Sequence, residues 1–192
     1  MNAAWRAQRI LADPATEWAK IEGEPGDAGY LLTGYAARLA LIPAVFGFIG
    51  ACIFGAVRPG AGTVRASIFN ALSSVVFGYV MTCVTVLILG LLINLLAPMF
   101  DARRNFANAL KLAIYSYTPV WLAGVFLLAP GLRFLGLIGF YGAYILWIGL
   151  PQLMKAPAPA AQSYTAAIVA CACVCVLLAA AAQHALFGTV PF

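Results

Sequence analysis

The sequence predicts an all-α protein, a polytopic membrane helix bundle of five transmembrane helices with a short N-terminal interfacial helix. Hydrophobic residues make up 64% of the chain and charged residues only 9%, whereas a soluble domain carries roughly 25% charged residues. Several apolar stretches reach the length of about 20 residues that a spanning helix needs. So few polar side chains cannot cover a water-facing globule of this size. The composition therefore excludes a soluble protein.

The first element is a cytoplasmic N-terminal segment, residues 1–38, which contains an amphipathic helix. Asp13 followed by Pro14 is a good helix start, because Asp caps free N–H groups and Pro suits the first helical position. Trp18 and Ile21 lie three positions apart on one face. Tryptophan favours the headgroup region of a bilayer, so we expect this helix to lie on the membrane surface. A partly ordered leader is the alternative.

The remaining residues, 39–192, form the five-span domain. The predicted spans cover about 39–57, 67–97, 112–129, 134–154 and 164–186. The second stretch is too long for one perpendicular helix, so either it is tilted or its polar start lies in the interface. Merging or splitting stretches would give four or six spans, and we prefer five.

The positive charges predict the orientation of the chain. With the N-terminus inside, the inner segments hold eight Lys and Arg residues and the outer segments hold three. The inner residues are Arg6, Arg9, Lys20, Arg38, Arg103, Arg104, Lys111 and Lys155, and the outer ones are Arg58, Arg65 and Arg133. Because cytoplasmic loops carry the excess of Lys and Arg, we expect a cytoplasmic N-terminus and an external C-terminus. The chain has no dense basic block, so no nucleic-acid partner is predicted.

No catalytic, cofactor or metal site is predicted. Cys171 and Cys175 share a helix face, but Cys173 points away from it, and a zinc or iron–sulfur centre needs convergent ligands. The lone His184 has no carboxylate or serine partner nearby in the sequence. The first four spans lack the ionisable groups that proton-coupled transport requires. A neutral pore of an oligomer, lined by the second and third spans, stays open as an alternative function.

Glycines recur at intervals that suit close helix packing. Gly47 and Gly50 lie in the first span, while Gly136, Gly139 and Gly142 recur every three residues in the fourth. Small residues let helix backbones approach each other in the membrane. The general abundance of glycine in membrane helices explains part of the pattern. The threefold spacing favours a packed ridge, which faces either another span or a second copy of the chain.

The segment 115–121, YSYTPVW, is unusually polar for a membrane span. Its candidate kink or notch residues are Tyr115, Ser116, Tyr117, Thr118 and Pro119, with Asn94 of the second span as a neighbouring donor. Proline at position 119 frees a carbonyl oxygen one turn earlier, and in lipid that oxygen needs a partner. We interpret the segment mainly as a proline kink with an aromatic belt. A hydrated or partner-binding notch near the cytoplasmic face is the functional alternative.

Four segments together resemble the Yip family (Ypt/Rab-interacting proteins), in particular its short bacterial members. They are RAQRILADPATEWAKIEGEP, YLLTGYAARLALIPAVFGFIG, YSYTPVWLAGVFLLAPGL and GFYGAYILWIGLPQLMKAP, and the resemblance runs from about position 6 to 164. The stretch YSYTP looks like the counterpart of a Gly-Tyr-x-Leu-x-Pro-like stretch in eukaryotic relatives. The resemblance implies five spans, a cytoplasmic N-terminus and a role in membrane organisation.

The resemblance also shapes the functional expectation. Eukaryotic members bind Rab GTPases and pair with sister proteins, which implies a small GTPase as partner. Only about 38 residues precede the first predicted span, without the long acidic extension of those members, so we do not expect GTPase binding here. We expect a non-enzymatic scaffold in the bacterial inner (plasma) membrane. Its predicted partners are the lipid bilayer, further copies of itself or other membrane proteins.

Overall fold

In a computed structural model, the structure describes residues 3–58, 62–64 and 68–187, with the backbone alone for 56–58 and 62–64. Within these residues, five helices are long and apolar enough to cross a membrane. The predicted fold class, an all-α bundle with five spans, is confirmed. Two shorter helices precede the spans, and one small β-hairpin joins the first span to the second.

The helices and strands have the following bounds. The N-terminal helices are α1 (Ala3–Ala12) and α2 (Pro14–Gly23). The first span is a π-helix, Tyr30–Ala36, continued by α3 (Ala37–Phe54). Strands β1 (Ala56–Arg58) and β2 (Gly62–Val64) pair antiparallel, with Ala56 opposite Val64. The second span is α4 (Ile68–Leu96), extended by the 3-10 helix Ala97–Phe100.

The last three spans are interrupted to different degrees. The third consists of α5 (Phe106–Ser116), α6 (Thr118–Ala123) and the 3-10 helix Gly124–Leu128. The fourth begins with a long 3-10 helix, Pro130–Phe140, and continues as α7 (Tyr141–Leu153). The fifth is the single helix α8 (Ala158–Phe187).

The first span begins at Tyr30, nine residues before the predicted start at Leu39. The side chain of Asp27 explains this start, because its Oδ1 accepts hydrogen bonds from the backbone N–H groups of Gly29 and Tyr30. Arg38, which set the predicted boundary, lies on an exposed face of the helix. A long basic side chain can extend from such a face toward the interface. The predicted start of the second span, Ser67, lies outside the described residues.

The third span forms the centre of the bundle. About two thirds of its most apolar window is buried (67%), against 11% for the fifth span. Helix α5 packs against α4 and α7, and Gly90 lies in the contact with α4. A Cβ atom at Gly90 would lie 3.3 Å from the Leu110 Cα atom. The spans around it therefore expose much of their apolar surface, as expected for helices that face lipid.

The two N-terminal helices contact each other across a single connecting residue, and we call them the N-terminal hairpin (residues 3–23). Asp13 ends the turn between them and caps α2, since its Oδ1 accepts a hydrogen bond from the Thr16 backbone N–H. The structure thus extends the predicted short helix into two. The apolar stripe of Trp18 and Ile21 contacts protein rather than lipid, because both side chains are fully buried.

Candidate functional site

The N-terminal hairpin is attached to the bundle through Trp18. Its indole lies next to the fourth span, where the Trp18 Nε1–H donates a 3.0 Å hydrogen bond to the carbonyl oxygen of Ile145. Gly149, one turn along α7, makes room for the ring: a Cβ atom there would lie 2.7 Å from Trp18 Cε2. Tyr115 packs against the same indole edge to face, with 6.0 Å between ring centroids. Trp18 therefore joins α2 to the third and fourth spans.

A buried ion cluster joins the two helices of the hairpin. Arg6 on α1 pairs with Glu17 on α2 and with Glu24 just beyond it, and the side chains of Arg6 and Glu17 are almost completely buried. Burial lowers the pKa of Arg6, but its hydrogen bond to Glu24 and the negative charges of Glu24 and Glu17 outweigh that effect. The net pKa is raised above its ordinary value. The guanidinium therefore stays charged, which a buried ion pair requires.

Lys111 connects the end of the hairpin to the third span. Its ammonium group donates hydrogen bonds to the carbonyl oxygens of Ile21, at 2.9 Å, and Glu24, at 2.5 Å. The last carbonyl groups of a helix lack partners within the helix, and a cation there also interacts favourably with the helix dipole. Lys111 thus caps the C-terminal end of α2 from inside the bundle. On the surface, Lys155 pairs with Glu22.

The YSYTPVW segment lies where α5 gives way to α6. Tyr115 is buried and packs edge to face on Tyr35 of the first span, with 4.8 Å between centroids. The Thr118 hydroxyl shares a 2.9 Å hydrogen bond with the hydroxyl of Tyr35. Tyr115 and Thr118 therefore hold the break between α5 and α6 against the first span. The next hydroxyl, Ser116 Oγ, is buried and has no hydrogen-bond partner among the described residues.

The C-terminal part of the segment, from Tyr117 to Trp121, contacts α4 through Thr82. The Trp121 Nε1–H donates a 3.2 Å hydrogen bond to the Thr82 hydroxyl, and Tyr117 stacks edge to face on Trp121. Asn94, which we expected near the kink, is twelve positions further along α4, about 18 Å at the rise of an α-helix. Its Oδ1 is buried without a hydrogen-bond partner within the described chain. The structure brings Thr82, rather than Asn94, to the segment.

Two glycines of the fourth span, Gly139 and Gly142, face the break between α5 and α6 in the third span. A Cβ atom at Gly139 would lie 3.3 Å from Val120 Cγ2, and one at Gly142 would collide with the carbonyl oxygen of Ser116. Gly136 and Gly139 lie in the 3-10 helix, where side chains three apart align, and Gly142 lies in α7. Gly136, at the far end, meets no atom within 4 Å. The structure thus places Gly139 and Gly142 against another span of the same chain.

The first-span glycines have a similar setting. Gly47 and Gly50 are buried, and a Cβ atom at Gly50 would lie 2.5 Å from the carbonyl oxygen of Leu127. Close approach of the first span to the 3-10 end of the third therefore depends on a small residue at this position.

The cysteines and the histidine lie apart from these contacts. The cysteines are free thiols, and His184 is exposed near the end of α8. Within residues 3–58, 62–64 and 68–187, no group of three or more His, Cys, Asp or Glu side chains is arranged to hold a metal ion.

Sequence reasoning missed Arg6, Glu17, Glu24 and Lys111 as a connected group. Arg6 and Glu17 are eleven positions apart, and Lys111 lies 90 positions beyond Ile21, so no local spacing pairs them. One signal was present: Lys111 directly precedes an apolar stretch that we took to start at Leu112. A lysine at the inner end of a span needs either water or a carbonyl partner.

The sequence matches a known family and is similar to curated proteins. The Yip1 domain family model matches residues 9–181, a range that includes α2, the whole third span and most of the fifth. The chain is 28% identical over 151 residues to the "Inner membrane protein YohC" of Escherichia coli (strain K12), covering 76% of this chain and 77% of that protein. The same values hold for the YohC protein of Escherichia coli O6:H1 (strain CFT073). No solved structure matches the chain.

Proposed function

The chain belongs to the Yip1 domain family, and from that premise we propose that it is a non-enzymatic scaffold of the bacterial inner membrane. The inner-membrane location is inferred from the similarity to YohC. In this proposal the protein associates with itself and recruits other membrane proteins through the N-terminal hairpin on its cytoplasmic side.

One observation carries the proposal: the hairpin is built into the bundle. Trp18 reaches a backbone oxygen of the fourth span, and Lys111 of the third span binds the end of α2. A flexible leader would lose conformational freedom on binding a partner, whereas a surface that is already held in place loses little. The outward face of the hairpin carries Trp5, with the Arg9 guanidinium 5.2 Å above its ring. Aromatic and arginine side chains are the types enriched at interfaces.

Self-association is proposed for the weakly covered spans. Only 11% of the most apolar window of α8 is buried within the chain, and that helix is rich in alanine and cysteine. Small side chains support close helix contacts in membranes. Gly139 and Gly142 already pack against the third span of the same chain, so they are not available for contact with a second copy.

The channel alternative has no comparable support. The third span is central and mostly buried, and Thr118, Trp121 and Thr82 are bonded to other side chains. These groups join helices together instead of facing a water-filled path.

Lysine-directed cross-linking in native membranes tests recruitment. Lys20 and Lys155 are both about half exposed, so both can react. Cross-links from Lys20 report on the hairpin, and cross-links from Lys155 report on the loop before α8. We expect Lys20 to link to another membrane protein, and the Trp18→Ala variant to lose that link. Links from Lys20 to residues of its own chain alone would contradict recruitment.

Two further measurements test the rest of the proposal. The mass of the protein in mild detergent or nanodiscs should correspond to more than one copy, and a strict monomer would contradict self-association. Liposomes that contain the protein should not leak ions or small solutes. Leakage that is abolished by Tyr117→Phe or Thr118→Val would overturn the scaffold in favour of a channel.

A further inference from the structure

A cavity of about 290 Å³ lies among the spans, beside the C-terminal part of the YSYTPVW segment. All five spans contribute to its wall. Examples are Pro43 of the first span, Thr82 of the second, Trp121 of the third, Gly136 of the fourth and Ala180 of the fifth. The volume is about ten times the share of one water molecule in the liquid. The space is therefore too large to be a packing gap.

The wall is chemically apolar. Side chains with nitrogen or oxygen are few, and each has a partner within the chain. Trp121 donates to Thr82, which also contacts the Tyr117 hydroxyl. The remaining polar wall residues bond backbone groups: Tyr79 to Ala37, Thr85 to Met81 and Gln183 to Ser74. Satisfied groups offer little to a polar ligand, and apolar cavities tend to stay free of water.

The cavity opens sideways toward the bilayer. Its lining includes Val120, Gly136 and Val176, which belong to the third, fourth and fifth spans, and all three are exposed. At Gly136 an added Cβ atom would meet nothing within 4 Å. This glycine therefore leaves the mouth of the cavity open at the level of the membrane.

The length of the cavity matches one leaflet. Along α4 its wall runs from Val75 to Thr85, ten positions or about 15 Å at the rise of an α-helix. The hydrocarbon core of a bilayer is about 30 Å thick, so this is the depth of the acyl chains of one leaflet. We propose that the cavity holds one acyl chain of a bilayer lipid, which enters between the fourth and fifth spans past Gly136.

Quenching of Trp121 by brominated acyl chains tests the proposal. Trp121 lines the cavity and has no surface exposed to the lipid around the bundle, so bromine atoms come closest to its ring from within the cavity. The protein carries Trp5→Phe and Trp147→Phe, which leaves Trp18 and Trp121 as the emitting residues. It is placed in nanodiscs that contain phospholipid with dibrominated acyl chains. The same protein with Trp121→Phe gives the signal of Trp18 alone.

We expect the Trp121 emission to be quenched, and Gly136→Leu to remove most of that quenching by filling the mouth. Gly131→Leu is the matched control, because Gly131 lies in the same 3-10 helix, also meets no atom within 4 Å and does not line the cavity. Ala180→Leu fills the cavity from the fifth span and should act like Gly136→Leu. An unquenched Trp121, or equal quenching in the Gly136→Leu and Gly131→Leu proteins, would overturn the proposal.

The choice of lipid distinguishes an acyl chain from a headgroup as the recognised part. Brominated phosphatidylethanolamine and brominated phosphatidylglycerol should quench Trp121 equally if the chain alone is bound. Quenching confined to one of these two lipids would contradict acyl-chain recognition.

Discussion

The Nε1–H of Trp18 donates a hydrogen bond to the carbonyl oxygen of Ile145, which lies 127 positions later in the chain. Trp18 is fully buried, and its ring occupies the space left by Gly149 on α7. A residue from the segment before the first span is thus part of the interior of the fourth. This relationship makes the N-terminal hairpin a component of the membrane bundle, and several measurable consequences depend on it.

Replacement of Trp18 should release the hairpin. Trp18→Ala leaves a cavity between α2 and α7, and such a loss typically costs about 3–5 kcal/mol. We expect faster trypsin cleavage after Arg9 and Lys20 in nanodiscs, with little change in the spans. Trp5→Ala is the control, because Trp5 is exposed on the same hairpin, and its cleavage rate should match the wild type. Equal protection in the Trp18→Ala protein would contradict the role of this side chain.

Arg6 and Glu17 should be energetically coupled. Both side chains are buried as a pair, and removal of either leaves the other buried charge with only its more exposed partners, Glu24 for Arg6 and Arg9 and Lys20 for Glu17. Arg6→Met, Glu17→Gln and the double variant form a double-mutant cycle, measured by thermal unfolding in detergent. We expect a coupling energy above about 1 kcal/mol, the upper range for exposed pairs. Additive single effects would show that the pair is not coupled.

The stabilisation of α2 by the Asp13 cap should depend on pH. Hydrogen bonds from Thr16 lower the pKa of Asp13 below its ordinary value of 3.8. A lowered folded-state pKa means that the cap stabilises α2 above pH 3.8, and that this contribution is lost as the pH falls through the folded value. The difference in thermal midpoint between wild type and Asp13→Ala should therefore be present near neutral pH and shrink in acid. A difference that is constant with pH would disprove this account.

Replacement of glycine by alanine should destabilise the protein at Gly142 but not at Gly131. At Gly142 an added methyl group would collide with the Ser116 carbonyl oxygen, and overpacking of this kind costs about 1–3 kcal/mol. At Gly131 there is open space, so Gly131→Ala should be neutral or slightly stabilising through the unfolded state. Thermal unfolding of the two variants in detergent compares them directly. Tolerance of Gly142→Ala would contradict the close contact between the third and fourth spans.

The orientation is tested by reporters fused after Phe192. The excess of Lys and Arg on one side predicts a cytoplasmic N-terminus and an external C-terminus. Alkaline phosphatase fused there should be active and green fluorescent protein should be dark. The reverse pattern would place the N-terminal hairpin outside the cell and remove it from cytoplasmic partners.

The sequence predicts the five spans but not the position at which each span begins. Hydropathy finds apolar helices because every spanning segment must satisfy its backbone internally and present apolar side chains. A boundary placed at a charged residue is less secure, as Arg38 shows, because that residue lies on an exposed face well inside the first helix. The Asp27 cap, eleven residues earlier, is the better local signal for the start.

The partner of an apolar stripe could not be read from the sequence. Trp18 and Ile21 suit a lipid interface and a protein core equally well, since both environments favour apolar surface. The choice depends on Gly149 and Ile145, which provide space and a hydrogen-bond acceptor far along the chain. The ion cluster of Arg6 and Glu17 likewise connects two helices. Sequence position likewise does not show that Thr82, instead of Asn94, bonds Trp121 of the third span.

Hydrogen exchange of the protein in nanodiscs tests the central claim, that the N-terminal hairpin is an integral part of the bundle. The account predicts that backbone amides around Ile10 in α1 and around Trp18 to Ile21 in α2 exchange slowly, because opening them requires removal of Trp18 from its site. This protection should be lost in the Trp18→Ala protein while α4 and α8 remain protected. Rapid exchange of both N-terminal helices in the wild type, with the spans protected, would contradict it.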